Sequence, residues 1–148
     1  MYSNHLENLR NELNLTKKEL ANILGVSNSI YARWEKNTDS IPTRRLIQIA
    51  NYFNVNIDYI LNLTNNKIAI KSNTINYDLI AKRTRELRID LNMTLREIAT
   101  FLNTTSSTWS AYETGKTVIL SSFLTQICKK YKYSADWVLG RSNNKYLI

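Results

Sequence analysis

The stretch that decides the fold is residues 15–35, LTKKELANILGVSNSIYARWE, which the chain writes again 78 positions later as residues 93–113, MTLREIATFLNTTSSTWSAYE. Without a gap, Thr16 recurs as Thr94, Glu19 as Glu97, Ala21 as Ala99, Leu24 as Leu102, Ser29 as Ser107 and Glu35 as Glu113. A fixed internal period means one structural unit built twice. Thr16 followed three residues on by Glu19 is a capping box: the hydroxyl accepts the amide of the third helical residue, and the carboxylate accepts the cap's own amide. Leu20, Ala21 and Leu24 then fall on one helical face, and Gly25 supplies the left-handed residue that stops the helix. Ser27 caps a second helix, whose spacing points Ile30 and Trp34 to the core and leaves Asn28, Ser29, Ala32 and Arg33 on the open side. Short polar groups and an arginine on an open helix face suit a DNA groove.

The pattern T-x-x-E-L-A-x-x-L-G-V-S-x-S-x-x-x-x-W-E, as it stands in residues 16–35, resembles the Cro and phage-repressor family, the xenobiotic-response-element-like regulators. The resemblance covers nearly all of each half. It implies an all-α chain of two tandem five-helix lambda-repressor-like helix-turn-helix domains. In that family the second helix of the motif lies in the major groove and the first crosses the backbone. It further implies that Arg10 pairs with Glu35, and its counterpart Arg88 with Glu113, as structural ion pairs rather than DNA contacts.

Length and composition agree with this reading. A chain of 148 residues holds one ordinary domain or two small ones, and the repeat decides for two. Three glycines and one proline argue against a β-rich or low-complexity chain. A formal charge of +8 favours polyanionic partners, though charge alone fits RNA or a membrane surface equally. With one cysteine, Cys128, and one histidine, His5, neither a disulfide framework nor a zinc site is available. Cys128 stands where the first copy has Ala50, on the buried face of a helix, and a reducing, cytoplasmic setting is expected. No basic-then-apolar leader and no apolar run near the ~20 residues of a membrane span is readable. Without a Gly-rich phosphate loop or carboxylates at metal spacing, no catalytic constellation is found. No enzyme, cofactor, metal or small-molecule ligand is expected.

In chain order, residues 3–13 read as a first helix with Leu6, Leu9 and Leu13 as its stripe. After the recognition helix, residues 36–40 form a polar loop, and Ile41-Pro42 opens a fourth helix with Leu46, Ile49, Ala50 and Phe53 inward. Asn56 caps a short fifth helix carrying Ile57, Ile60 and Leu61. The first domain is drawn at 1–64 and the connection at 65–76, where Lys67 to Ile70 can be either an extended piece packed on a neighbour or part of a tether. Twelve extended residues span up to ~40 Å at about 3.3 Å each, enough for two recognition helices one DNA turn (~34 Å) apart. The second domain, 77–142, opens with a basic helix over 77–91. Its later helices carry Ile119, Leu124, Ile127, Cys128 and Tyr131, then Trp137, Val138 and Leu139 after Ser134. Residues 143–148 are a tail, expected to fray.

The two copies differ in chemistry. In the first, Lys17, Lys18, Arg44 and Arg45 are the expected phosphate contacts, and Ser27, Asn28, Ser29 and Arg33 the groove residues. Asparagine holds adenine and arginine holds guanine through two-pronged hydrogen bonds. The second copy puts Leu95 at Lys17 and Ala111 at Arg33, leaving Arg96, Ser106, Ser107 and Lys116 as its expected DNA contacts. Yet it is the more basic half, with twelve lysines and arginines against six acids from Lys71 onward, versus eight against six before. Those charges can steer DNA without reading it. Leu95 on the DNA-facing side suits a protein surface instead. Trp109 and Tyr31 occupy one position and read as packed aromatics.

The expected function is therefore a sequence-specific DNA-binding transcriptional regulator, a repressor of phage or mobile-element kind, with double-stranded DNA as partner. A homodimer and a protein antagonist are further open partners. The competing reading is a protein-binding inhibitor or antitoxin-like adaptor on the same frame, with the second domain serving dimerisation or partner binding.

Overall fold

The structure, a computed structural model, describes residues 3–72 and 74–148. Residues 1 and 2 of the first domain and residue 73 of the expected connection lie outside the described residues. The chain forms two compact units, Met1–Lys71 and Ser72–Leu147. Among the described residues its regular secondary structure is helical, apart from one isolated antiparallel bridge between Tyr133 and Tyr146.

The first unit holds α1 (Leu6–Glu12), α2 (Lys17–Leu24), α3 (Asn28–Glu35), α4 (Thr43–Phe53) and α5 (Ile57–Ile60). Its starts follow from local chemistry. Thr16 and Glu19 form the reciprocal capping box, with Glu19 N to Thr16 Oγ1 and Thr16 N to Glu19 Oε1 both at 3.0 Å. The Thr16 amide first, and the Thr16 hydroxyl next, hold the Glu19 carboxyl below the usual carboxylate range. Helix α1 begins at Leu6 rather than at residue 3, because Asn4 folds over its start: its Oδ1 accepts from Leu6 N, and its Nδ2 donates to the Trp34 carbonyl at the end of α3. Leu6 and Leu9 are buried, while Leu13, just past the helix, is exposed. Leu20, Ala21, Leu24, Leu46, Ile47, Ile49, Ala50, Ile57 and Ile60 complete the core.

Asn56 does not cap α5 through its side chain. Its amide instead bridges to the segment that follows, Nδ2 donating to Asn66 O at 3.0 Å and Oδ1 accepting from Ile68 N at 2.9 Å. Backbone bonds from Asn56 N to Ile68 O and from Ile70 N to Asn54 O continue the contact, and Lys67 pairs with Glu12. Of the two readings left open for Lys67 to Ile70, the structure has the packed one. Its extended backbone satisfies groups at the α4–α5 junction that would otherwise need water.

The second unit repeats this order as α6 (Tyr77–Asp90), α7 (Leu95–Phe101), α8 (Ser106–Glu113), α9 (Ser121–Tyr131) and α10 (Ala135–Val138). The backbone match reaches the turns. Left-handed residues at Asn14, Gly25, Asn37, Asn54 and Asn62 recur 78 positions on as Asn92, Asn103, Gly115, Lys132 and Gly140. Asparagine and glycine tolerate that conformation best, so their scatter through the chain marks helix ends rather than disorder.

The strongest repeated contact is an ion pair. Arg10 Nε lies 2.7 Å from Glu35 Oε2, and its Nη2 donates to Oε1 at 3.2 Å. In the second copy Arg88 Nε lies 2.6 Å from Glu113 Oε2, with Nη2 to Oε1 at 3.0 Å. The remaining η nitrogen of each arginine donates to the backbone carbonyl before the capping box, Leu15 O or Met93 O. One side chain thus joins the unit's first helix, the entry to its second and the end of its third. Hydrogen bonding to the glutamate raises both arginines above their usual value.

The C-terminal residues depart from the frayed tail read in the sequence. Ser134 N donates to Lys145 O and Leu147 N to Lys132 O, both at 2.9 Å, beside the Tyr133–Tyr146 bridge. Arg141 and Asp136 form a buried pair at 3.2 Å. Lys145 pairs with Glu86 and Asp90 on α6, and Arg83 Nη1 donates to the carbonyls of Trp137 and Ser142. Satisfied backbone and a buried charge pair hold a segment that lacks any apolar stripe.

Two outcomes are expected in chemical denaturation. Arg10→Ala leaves Glu35 buried and unpaired and lowers the stability of the first unit by ~3–5 kcal/mol, whereas an apolar pair of similar volume at both positions recovers most of it. Glu19, with its pKa lowered on folding, adds stability above the ordinary carboxylate range and loses it as pH falls through the lowered value. Glu19→Gln removes that part of the acid dependence.

Candidate nucleic-acid interface

The turn between α2 and α3 sets what the open helix can reach. Gly25, at φ 74°, lets Val26 N return to Ala21 O at 3.0 Å, and Ser27 Oγ accepts from Ile30 N at 3.2 Å to start α3. Tyr31 and Trp34 are buried, meeting edge to face at 6.2 Å between centroids. Together with the Glu35 carboxylate they form the inner side of α3.

That inner side differs from the sequence reading at one residue. Ile30 is 36% exposed and Tyr31 takes the core position expected for it. Tyr31, Trp34 and Glu35 sit three and four apart and must face inward together once Glu35 is tied to Arg10, which turns Ile30 outward. Burial comes first, and the neighbouring Glu35 next, in pushing the Tyr31 hydroxyl far above its usual range. In the second copy Trp109 occupies the same buried place, and its indole N–H donates to Glu113.

The outer side of α3 carries Asn28, Ser29 and Arg33 exposed, with Ser27 exposed at its cap. The four groove candidates are all accessible, Ser27, Asn28 and Ser29 around the start of α3 and Arg33 one turn further on. Ser27 Oγ and Ser29 Oγ are 3.2 Å apart. Arg33 is held from within the protein: its Nε lies 2.9 Å from Asp39 Oδ2 in the loop before α4. In the sequence nothing marks Asp39, which is one more polar residue of a loop.

The expected phosphate contacts are not alike. Lys18 and Arg44 are exposed and Lys17 is half-buried at the start of α2. Arg45 has a structural attachment: Nη1 donates to Leu24 O at 2.6 Å and to Gln48 Oε1 at 2.9 Å, while Gln48 Nε2 reaches the same carbonyl at 3.3 Å. The last turn of α2 leaves carbonyls without helical partners, and a guanidinium from α4 satisfies one. Gln48, one turn after Arg45, went unread because only the fold brings it to Leu24.

The second unit keeps the geometry and changes the groups. Thr94 and Glu97 form the same capping box, Thr105 caps α8 through Thr108 N, and Trp109 and Tyr112 are buried edge to face at 5.7 Å. Its corresponding surface offers Ser106 and Ser107, exposed, and half-buried Ser110 and Ala111. Leu95 is half-buried, whereas Arg96 and Lys116 are exposed. Phe123 stands where Arg45 stands in the first unit and leans on Tyr112 at 6.5 Å. Several charges that inflate this unit's basicity are spent internally on Glu113, Asp136, Glu86 and Asp90.

Comparison with known families agrees with this geometry. Residues 6–60 match a family model described as helix-turn-helix, and residues 81–143 match one described as helix-turn-helix domain. The chain belongs to the helix-turn-helix family, as two Cro/C1-type domains in tandem. The tandem helix-turn-helix chain is also similar to an uncharacterized HTH-type transcriptional regulator, YobD, of Bacillus subtilis (strain 168), at 36% identity over 64 residues. That alignment covers 43% of this chain and 57% of the relative, so the chain spans little more than half of that protein's length. No solved structure gives a significant match. Among the described residues, no helix of the tandem is long and apolar enough to cross a membrane, and no cluster of side chains is arranged to hold a metal ion.

The unequal arginines at the start of α4 give a direct check. Arg45→Ala, which leaves the Leu24 carbonyl to Gln48 alone, lowers the first unit's stability by ~1–2 kcal/mol, while Arg44→Ala, exposed, stays within ~0.5 kcal/mol of the parent. Thermal or urea unfolding of the two variants separates them.

Proposed function

We propose that this protein is a sequence-specific DNA-binding transcriptional regulator in which the first unit reads bases. The observation that carries the reading is the division of α3 into two sides. Tyr31, Trp34 and Glu35 anchor it, and Asn28, Ser29 and Arg33 stand out in solvent with an amide, a hydroxyl and a guanidinium. A helix fixed on one side by a buried ion pair and two aromatics is a rigid reader, which is what base discrimination requires. Lys18 and Arg44, with Lys17, flank it as cations for the phosphate backbone, which sets register without reading sequence. The similarity to a protein named as an HTH-type transcriptional regulator supports the same assignment.

The second unit, on this reading, adds attraction more than selection. Its hydroxyls at Ser106 and Ser107 accept and donate indiscriminately, and Arg96 and Lys116 give it charge at the rim. Repression by occupying an operator, of the kind used by phage and mobile elements, is the regulatory mode we favour. Such a mode needs no ligand-sensing step, so protein concentration or a protein antagonist would set occupancy. Two-fold operators would call for a homodimer.

Two measurements on selected and random duplexes test the proposal. Asn28→Ala with Arg33→Ala reduces the preference for the selected site over random DNA by ~30-fold or more, each of the two lost two-pronged contacts being worth roughly 1–3 kcal/mol. Lys18→Ala weakens both duplexes alike and makes the logarithmic salt slope shallower by about one. Unchanged preference in the double variant, or binding indifferent to salt, would turn attention to a protein target.

A further inference from the structure

We propose that Asp39 is a positioning and specificity-determining residue for the Arg33 contact with DNA, an inference that rests on the first unit reading bases. Arg33 is the single arginine on the outer side of α3, and its Nε is 2.9 Å from Asp39 Oδ2. Both side chains are about half exposed, 52% and 50%, so the pair adds little to stability. Its effect lies elsewhere. A carboxylate at Nε takes one edge of the guanidinium and leaves the two η nitrogens to act as a two-pronged donor toward guanine O6 and N7. Fixing the arginine before binding also reduces the side-chain entropy lost on contact.

The loop that carries Asp39 folds back on Arg33, as its counterpart in the second copy folds back on Ala111 through Lys116 N at 3.0 Å. Thr38 N donates to Arg33 O at 3.0 Å, and Thr38 Oγ1 donates to the same carbonyl at 3.3 Å. These bonds close the chain back on Arg33 one residue before the carboxylate. An independent observation comes from the repeat: 78 positions on, Arg33 becomes Ala111 and Asp39 becomes Thr117. The arginine and the acid are absent together from the copy whose outer surface lacks a two-pronged reader. Arg10 and Glu35, needed for folding, are present in both copies.

An acid beside the groove has a second effect, because it repels phosphate. Asp39 therefore lowers affinity for selected and arbitrary duplexes alike through that repulsion, while its effect on the preference between them runs through Arg33 alone.

The test compares the full chain with Asp39→Asn, Arg33→Ala and the double variant, each selecting sites from random duplexes, followed by affinities for selected and scrambled DNA at fixed salt. Asp39→Asn is expected to bind scrambled DNA somewhat more tightly. It relaxes preference by about 3- to 10-fold, a fraction of a full two-pronged contact, at the same base position that Arg33→Ala relaxes. In the Arg33→Ala background Asp39→Asn changes preference no further. Full preference retained in Asp39→Asn, a gain of preference, or an effect that persists without Arg33 overturns the role of Asp39 alone. A parent chain that selects no site overturns both this inference and the base-reading function beneath it.

Discussion

The buried pair of arginine and glutamate, Arg10 with Glu35 and Arg88 with Glu113, is the constraint from which the rest of each unit follows. A charge that leaves water needs a partner in good geometry, and a guanidinium meeting a carboxylate through two nitrogens provides it. The third nitrogen group binds the carbonyl just before the capping box. The first helix, the start of the second and the end of the third are thereby locked to one point. Rotating α3 about its axis would break both prongs, so the pair sets which residues face solvent.

That rotation explains the residues of the outer surface and the misplacement of Ile30. Hydrophobicity alone would bury Ile30, yet the glutamate and the aromatic ring next to it claim the inner side. Anchored this way, α3 keeps Asn28, Ser29 and Arg33 at fixed angles from the core. Arg33 then receives a second restraint from Asp39, which belongs to the loop rather than the helix. Arg45, by contrast, illustrates that a cation at a helix start can be occupied with the protein's own backbone.

Comparing the copies separates fold from chemistry within a single chain. Capping boxes, left-handed turn residues, buried aromatics and the ion pair recur at one fixed spacing. Lys17, Arg33, Asp39 and Arg45 do not recur. The recurring caps, turns and ion pair are what a five-helix unit needs in order to fold, whereas Arg33 and Asp39 vary on the surface turned to solvent and Arg45 varies at a contact inside the unit. The second unit also gains its own fastening, the Asp136–Arg141 pair and the Lys145 contacts, which tie the last residues onto α6 and α10.

The amino-acid sequence by itself determined the repeat, the starts of α2, α3 and α7, and the polar positions left open on α3. Each of these is local: a threonine and a glutamate three apart, a glycine after a leucine stripe, polar groups at helical spacing. Tertiary structure alone decided that Ile30 is turned outward, that Asn56 fastens Asn66 and Ile68, that Arg45 holds Leu24, and that the last residues are packed. Those outcomes depend on backbone and side-chain partners brought together by folding, where unpaired polar groups must be satisfied. No spacing along the chain encodes such a meeting, so Asp39 reads as loop in the sequence and as a restraint on Arg33 only in the fold.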